Sequence, residues 1–172
     1  MNLISNGKAV SISYRRNEVV SMVLLILTTV ISILSVLVMP KRISWIEIYT
    51  TSLFVMFLGS VADIYLDVKY DFYGFFTKGV DFEYLLIFIF IYPATNSVFL
   101  NFYPQSKSLS RKALYLTVWV ILTTLFEYVS GQTEVFYYNE WKPIYSFFCY
   151  PFLYIAMVLN LKMIRRLQVI DK

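Results

Sequence analysis

The chain has 172 residues, 59% of them hydrophobic and 19% aromatic, with a net charge of +4 and a mean hydropathy of +0.64. That much apolar surface exceeds what one soluble core of this size buries, so the excess must face lipid. A single cysteine, Cys149, excludes an internal disulfide framework, and the absence of histidine excludes histidine-dependent metal and proton chemistry. In such a chain, basic residues set orientation and meet anionic headgroups, and no nucleic-acid role is assigned.

A polar head carrying Lys8, Arg15, Arg16 and Glu18 precedes an uncharged run, 19–39, long enough to cross a bilayer core. The run is too long for a signal-peptide core. It ends in Met39-Pro40-Lys41-Arg42 rather than a small-x-small cleavage pattern, so it reads as a retained helix. The link that follows is short enough to return the second span, 44–66, beside the first as an antiparallel neighbour. A third span, 84–103, carries Pro93, expected to kink it, and Asn96, expected to seek a partner inside the bundle. Asn101-Phe102-Tyr103-Pro104 reads as a helix ending in which Asn101 bonds to freed carbonyls.

The fourth span, 113–130, is closed by Gly131 as a helix C-cap. Pro143 opens the fifth, 143–161, with a second kink expected at Pro151 and a basic tail of Lys162, Arg165 and Arg166. These elements define an all-α integral membrane helical bundle of about five transmembrane helices, a single transmembrane domain over 1–172, with no internal repeat and no second domain.

Five spans place the termini on opposite sides. One face collects nine basic residues (Lys41, Arg42, Lys107, Arg111, Lys112, Lys162, Arg165, Arg166 and Lys172) and the other six (Lys8, Arg15, Arg16, Lys69, Lys78 and Lys142). The positive-inside rule then predicts a cytoplasmic C-terminus, with an N-terminal tail of about 18 residues, read as disordered, on the outside.

The acids concentrate toward the outer face, at Asp67, Asp71, Asp81, Glu83, Glu134 and Glu140, with Asp63 and Glu127 just inside the boundary. Asp63, Asp67 and Asp71 are spaced i, i+4, i+8 and form one stripe if the second helix continues past Leu66. Carboxylates within a span are costly unless paired, hydrogen-bonded or hydrated, which makes Asp63 and Glu127 candidates for function. The plainer reading is that they bond Tyr65, Tyr128, Lys69 or helix ends in a packed core, and that the remaining acids are solvated loop residues.

Glu47, beside Trp45, reads as a headgroup-level residue. Tyr70, Tyr73, Tyr84, Tyr103, Tyr137, Tyr138 and Trp141 read as interfacial anchors. Gly74 and Gly79 read as turn positions that fold the cluster 72–76 back as a lid.

The pattern Tyr70-Asp71-x-Tyr73-Gly74-x-Phe76-x-x-Gly79-Val80-Asp81, with Tyr92-Pro93, Asn101-Phe102-x-Pro104, Glu127 and Trp141-Lys142-x-x-Tyr145-Ser146, resembles a family of small multi-pass membrane proteins of uncharacterised function from spore-forming Gram-positive bacteria. The likeness covers about residues 63–160. It implies a plasma-membrane location and a four- to five-helix topology, and it transfers no activity, ligand or catalytic residue.

Three function classes follow. In the first, a binding or sensing protein, Asp63, Asp67 and Glu127, aided by Asp71, hold a cation or cationic group at the outer boundary. Oxygen ligands suit Ca²⁺ or Mg²⁺, and the lack of histidine argues against zinc or copper. In the second, a transporter or channel subunit acting as an oligomer, Asp63, Asn96 and Glu127 line a path. In the third, the Asp-x-x-x-Asp-x-x-x-Asp run holds Mg²⁺ against a lipid diphosphate, although no second aspartate-rich motif accompanies it. The ligand-binding candidates are thus Asp63, Asp67, Asp71, Asn96 and Glu127. No catalytic residue or cofactor is named, and the expected partners are membrane lipids, a second copy of the chain or another membrane protein.

Overall fold

The computed structural model describes residues 3–76 and 82–170. Lys78, Gly79, Asp81 and Lys172, which entered the charge count, the turn and the acidic loop above, lie outside the described residues.

The chain runs α1 (Leu3–Val38), α2 (Trp45–Asp63) continued by a π-helical stretch Ile64–Lys69, β1 (Tyr73–Phe75), and α3 (Phe82–Leu86). A second π-helical stretch, Ile87–Ile91, joins α3 to α4 (Tyr92–Phe102), and α5 (Leu109–Ser130), β2 (Phe136–Tyr138) and α6 (Pro143–Ile170) complete it. Among the described residues five helices are long and apolar enough to cross a membrane: Asn17–Val38, Trp45–Lys69, Phe82–Phe102, Leu109–Ser130 and Pro143–Ile170. The protein is an all-α, multi-pass membrane bundle. Large apolar side chains stay on its outside, Leu37, Phe57 and Phe152 among them, as lipid contact requires.

The span boundaries shift by a few residues from those expected, and each shift has a local cause. The first helix begins at Leu3 instead of leaving an irregular tail, since no proline interrupts residues 3–38. The last runs to Ile170 because its basic residues are helical and one of them, Arg165, turns inward.

Despite the short link at 39–44, α1 does not pack along α2. It packs on the third span, against Ile87–Ile91 and α4, while α2 packs on α4 and α6, and α5 on α6. The antiparallel pairing of the first two spans is therefore corrected, and α1 and α2 diverge around the space described below. The main core joins Ile43, Phe99, Leu100, Val120, Tyr154, Val158 and Leu161. A second, smaller core joins Leu25, Ile87 and Val135 nearer the other end.

Pro93 sits in the first turn of α4, immediately after the π-helical stretch. Proline lacks an N–H and its ring clashes with the carbonyl four residues back, so a wider turn just before it relieves both problems. Pro151 lies within an uninterrupted helix.

The two loops at the hairpin end pair with each other, which the sequence did not predict. β1 and β2 are antiparallel, with Tyr73 opposite Tyr138, Gly74 opposite Tyr137 and Phe75 opposite Phe136. Gly74 is thus a strand residue, not a turn, and a Cβ there would lie 2.3 Å from the Tyr137 ring. The turns are made instead by Asp71 (φ 54°) and Phe76 (φ 52°). Gly131 closes α5 as expected, but in right-handed geometry. Its lack of a side chain matters because a Cβ would meet the Tyr138 ring at 2.5 Å.

Candidate functional site

One face of α2 carries Glu47, Thr51, Val55, Gly59 and Asp63 at successive i+4 positions, and all but Gly59 are buried. The stripe has an acid at each end. Sixteen residues of helix separate them by about 24 Å.

At the hairpin end, Asp63 is 8% exposed and accepts three hydroxyls. Tyr73 donates to Oδ1 at 2.8 Å, Tyr84 to Oδ2 at 2.6 Å and Tyr92 to Oδ2 at 3.3 Å. Glu127, also 8% exposed, is held in the same way: Tyr138 donates to Oε1 at 2.9 Å, Ser146 to Oε1 at 2.7 Å, and Tyr150 to Oε2. The Trp141 indole N–H donates to Ser146 Oγ at 2.7 Å, and indole only donates, so the serine proton must point to the glutamate. The Trp141 ring also meets the Tyr73 ring edge-on at 5.9 Å, which links the two carboxylate clusters.

Burial, and then the charge of Asp63, hold the Tyr73 hydroxyl far above the usual phenol range. Burial and then Glu127 do the same to Tyr138. Both phenols are therefore fixed as protonated donors.

Asp63 and Glu127 open onto one cavity of about 430 Å³ lying between α1 and α2, α5 and α6. That volume lies in the range of small-molecule sites. Its walls are chiefly aliphatic and aromatic, Leu25, Val55, Trp119 and Phe136 among them. Asn96 and Ser130 line it too; Asn96 Oδ1 and Ser130 Oγ are buried with no hydrogen-bond partner among the described residues. The Asn96 Nδ2 donates to Thr51 Oγ1 at 3.0 Å, so the amide is anchored and its oxygen is the group left over. Leu122 and Phe126 line the cavity while staying partly exposed on α5, a helix that α1 does not pack on extensively.

Of the five candidates, the structure brings Asp63, Asn96 and Glu127 to this cavity and leaves out Asp67 and Asp71. The aspartate stripe does not form. The helix widens to π geometry at Ile64–Lys69, so a four-residue step no longer completes a turn, and Asp71 lies beyond the helix in left-handed backbone. Among the described residues no group of three or more acids or cysteines converges as a metal site.

Several expected roles are corrected. Tyr73, Tyr84 and Tyr138 donate to carboxylates, a role the anchor reading did not include, and Trp141 orients Ser146. Asn101 bonds outside its own helix, accepting from Arg42 N at 2.7 Å and donating to Pro40 O at 2.9 Å. Glu47, whatever its depth, is buried: it closes a capping box with Ser44 and pairs with Arg165. Sequence reasoning also missed Tyr92, Tyr150 and Ser146. A signal existed, since the two mid-span prolines, Pro93 and Pro151, are each preceded by the tyrosine that bonds a buried acid.

The fold and site define a multi-pass helical membrane protein with an intramembrane cavity walled by apolar side chains and headed by two hydroxyl-bonded carboxylates. No family model, curated protein or solved structure matches the chain.

Proposed function

We propose that this protein binds an organic cation bearing an apolar body, with the cationic head beside Asp63 and Glu127 and the body along the cavity, as a binding or sensing protein. The observation that carries the reading is that two buried carboxylates share one cavity and, among the described residues, neither has a basic partner, whereas Glu47 has one. A carboxylate offers about four acceptor positions, and three hydroxyls leave room for one more donor on each. Burying an unpaired charge costs several kcal/mol, a cost that an entering cation offsets. Aromatic walls add cation–π attraction. Among the described residues no three acids or cysteines converge, which turns the reading from a hard metal ion toward an ammonium group.

In this reading the hairpin end faces outward, the C-terminus is cytoplasmic and the membrane is the plasma membrane, in keeping with the distribution of basic residues. An amphiphilic ligand reaches the cavity sideways from lipid, past Leu122 and Phe126.

The test is the thermal stability of the detergent-purified protein with alkylammonium ions, neutral alcohols of equal chain length, Ca²⁺ and Mg²⁺. The alkylammonium ions alone are expected to stabilise, by about 2.7 kcal/mol at a hundredfold excess over Kd. Cys149, the single cysteine, lines the cavity and is exposed; bound ligand is expected to slow its alkylation. A stabilisation that survives in both Asp63→Asn and Glu127→Gln would sink the reading.

A further inference from the structure

At the opposite end of the bundle a second pocket, of about 320 Å³, is lined by Arg42, Lys107 and Arg165 together with polar groups of Asn101, Gln105 and Ser106. The three cations come from three separate parts of the chain: the link between α1 and α2, the link between α4 and α5, and the last third of α6. Each is placed differently. Arg42 lies over the Phe102 ring at 5.1 Å, and its backbone N–H, not its guanidinium, is taken by Asn101. Arg165 gives its Nε–H to Glu47 and one Nη1–H to Gln105 Oε1 at 2.5 Å. Its other N–H groups, like Lys107 Nζ and the Arg42 guanidinium, have no hydrogen-bond partner among the described residues. Glu47 offsets one positive charge, leaving two at the mouth of a polar recess.

We infer that this pocket is an anion site that takes a phosphate group. The Arg42 guanidinium fork, the remaining N–H groups of Arg165 and the Lys107 ammonium match the oxygens of a phosphate, which accepts several charge-assisted hydrogen bonds at once. The excess of two positive charges suits a monoester dianion or a diester monoanion. Lys41, Arg111, Lys112, Lys162 and Arg166 also lie toward this end of the bundle but do not line the pocket, so the recess selects three cations from a broader basic rim. The same chemistry is offered by a phospholipid headgroup at the membrane surface or by a soluble phosphate ester.

The experiment measures thermal stability of the full chain in neutral detergent, at constant ionic strength, against inorganic phosphate, glycerol phosphate and micellar phosphatidylglycerol, with chloride as control. A saturable upward shift is expected with at least one phosphate source. The apparent affinity should fall about tenfold for each of Arg42→Gln and Lys107→Gln, and remain unchanged in Asp63→Asn. A shift with phosphatidylglycerol alone assigns the pocket to lipid; one that includes the soluble esters assigns it to free phosphate. No shift from any source, or a shift equally strong in both pocket variants, overturns the inference. Lys107 is exposed on a loop, so Lys107→Gln retains a folded protein should Arg42→Gln not.

Discussion

Helix α2 buries an acid at each end of one stripe, and the two ends treat it in opposite ways. Glu47 receives a cation, Arg165, and shares both bonds of a capping box: its Oε2 accepts from Ser44 N at 2.6 Å and its own backbone N–H donates to Ser44 Oγ at 3.2 Å. Among the described residues Asp63 receives only hydroxyls, and Glu127, brought to the same cavity by α5, follows Asp63. The first arrangement is closed: every charge has its opposite, and the site's task is to hold α2 against α6. In the second, no countercharge lies among the described residues. Burial alone therefore does not separate a structural acid from a ligand-ready one. The sign of the neighbours does.

The contrast can be broken most forcefully at Arg165. Replacing it with leucine leaves a buried carboxylate without its cation; because Arg165 is partly exposed and Glu47 keeps its Ser44 bond, destabilisation of about 2–3 kcal/mol is expected in equilibrium unfolding in detergent, with most of it restored when Glu47→Leu is added. A full loss that persists in the double variant would show that Arg165 acts through packing instead. Next in size is Glu127→Gln. The amide keeps one acceptor oxygen and shape but opposes an N–H₂ to a hydroxyl donor, so about 1–2 kcal/mol is expected, together with loss of the alkylammonium response. Were it as costly as Arg165→Leu, the two ends would be alike.

A third test sharpens the comparison through geometry. Gly131→Ala pushes the Tyr138 ring, which cannot swing aside without giving up Glu127, and about 1–2 kcal/mol is expected in the same unfolding assay. The smallest effect concerns pH. Tyr73 and Tyr138 have their phenol ionisation raised in the folded state, whereas unfolded tyrosine ionises near pH 10. Their contribution is thus complete below about pH 10 and declines as pH rises beyond it, because unfolding then releases protons. Unfolding measured on either side of that value should show a decline that Tyr73→Phe and Tyr138→Phe make shallower.

The spans were legible because five apolar runs are long enough to cross a bilayer and little else accounts for them. Asp63, Asn96 and Glu127 were legible as misfits within those runs. What surrounds them was not. In a lipid-exposed bundle both the core and the outer face are apolar, so periodicity does not tell which side of α2 looks inward, and Glu47 could not be told from a headgroup-level acid. The strands are three residues each and belong to loops about sixty residues apart, too short for an alternating pattern to register. The aspartate stripe failed for a related reason: an i+4 spacing marks a face only while the helix keeps α geometry.

The wide turn at Ile64–Lys69 has a further consequence for how this chain tolerates change in length. A π-helical turn is an α-helix carrying a surplus residue, and the two such stretches here lie just beyond Asp63 and just before Tyr92. Deleting one residue from either would remove that surplus and let the backbone relax to ordinary helix with the flanking residues still on nearly the same faces, whereas the same deletion in a regular α-helical turn would rotate what lies past it by about 100°. The hydroxyls of Tyr73, Tyr84 and Tyr92 would then still be aimed at Asp63. The two stretches thus give an evolving sequence places where a span gains or loses one residue without re-aiming the hydroxyls that meet at the acid.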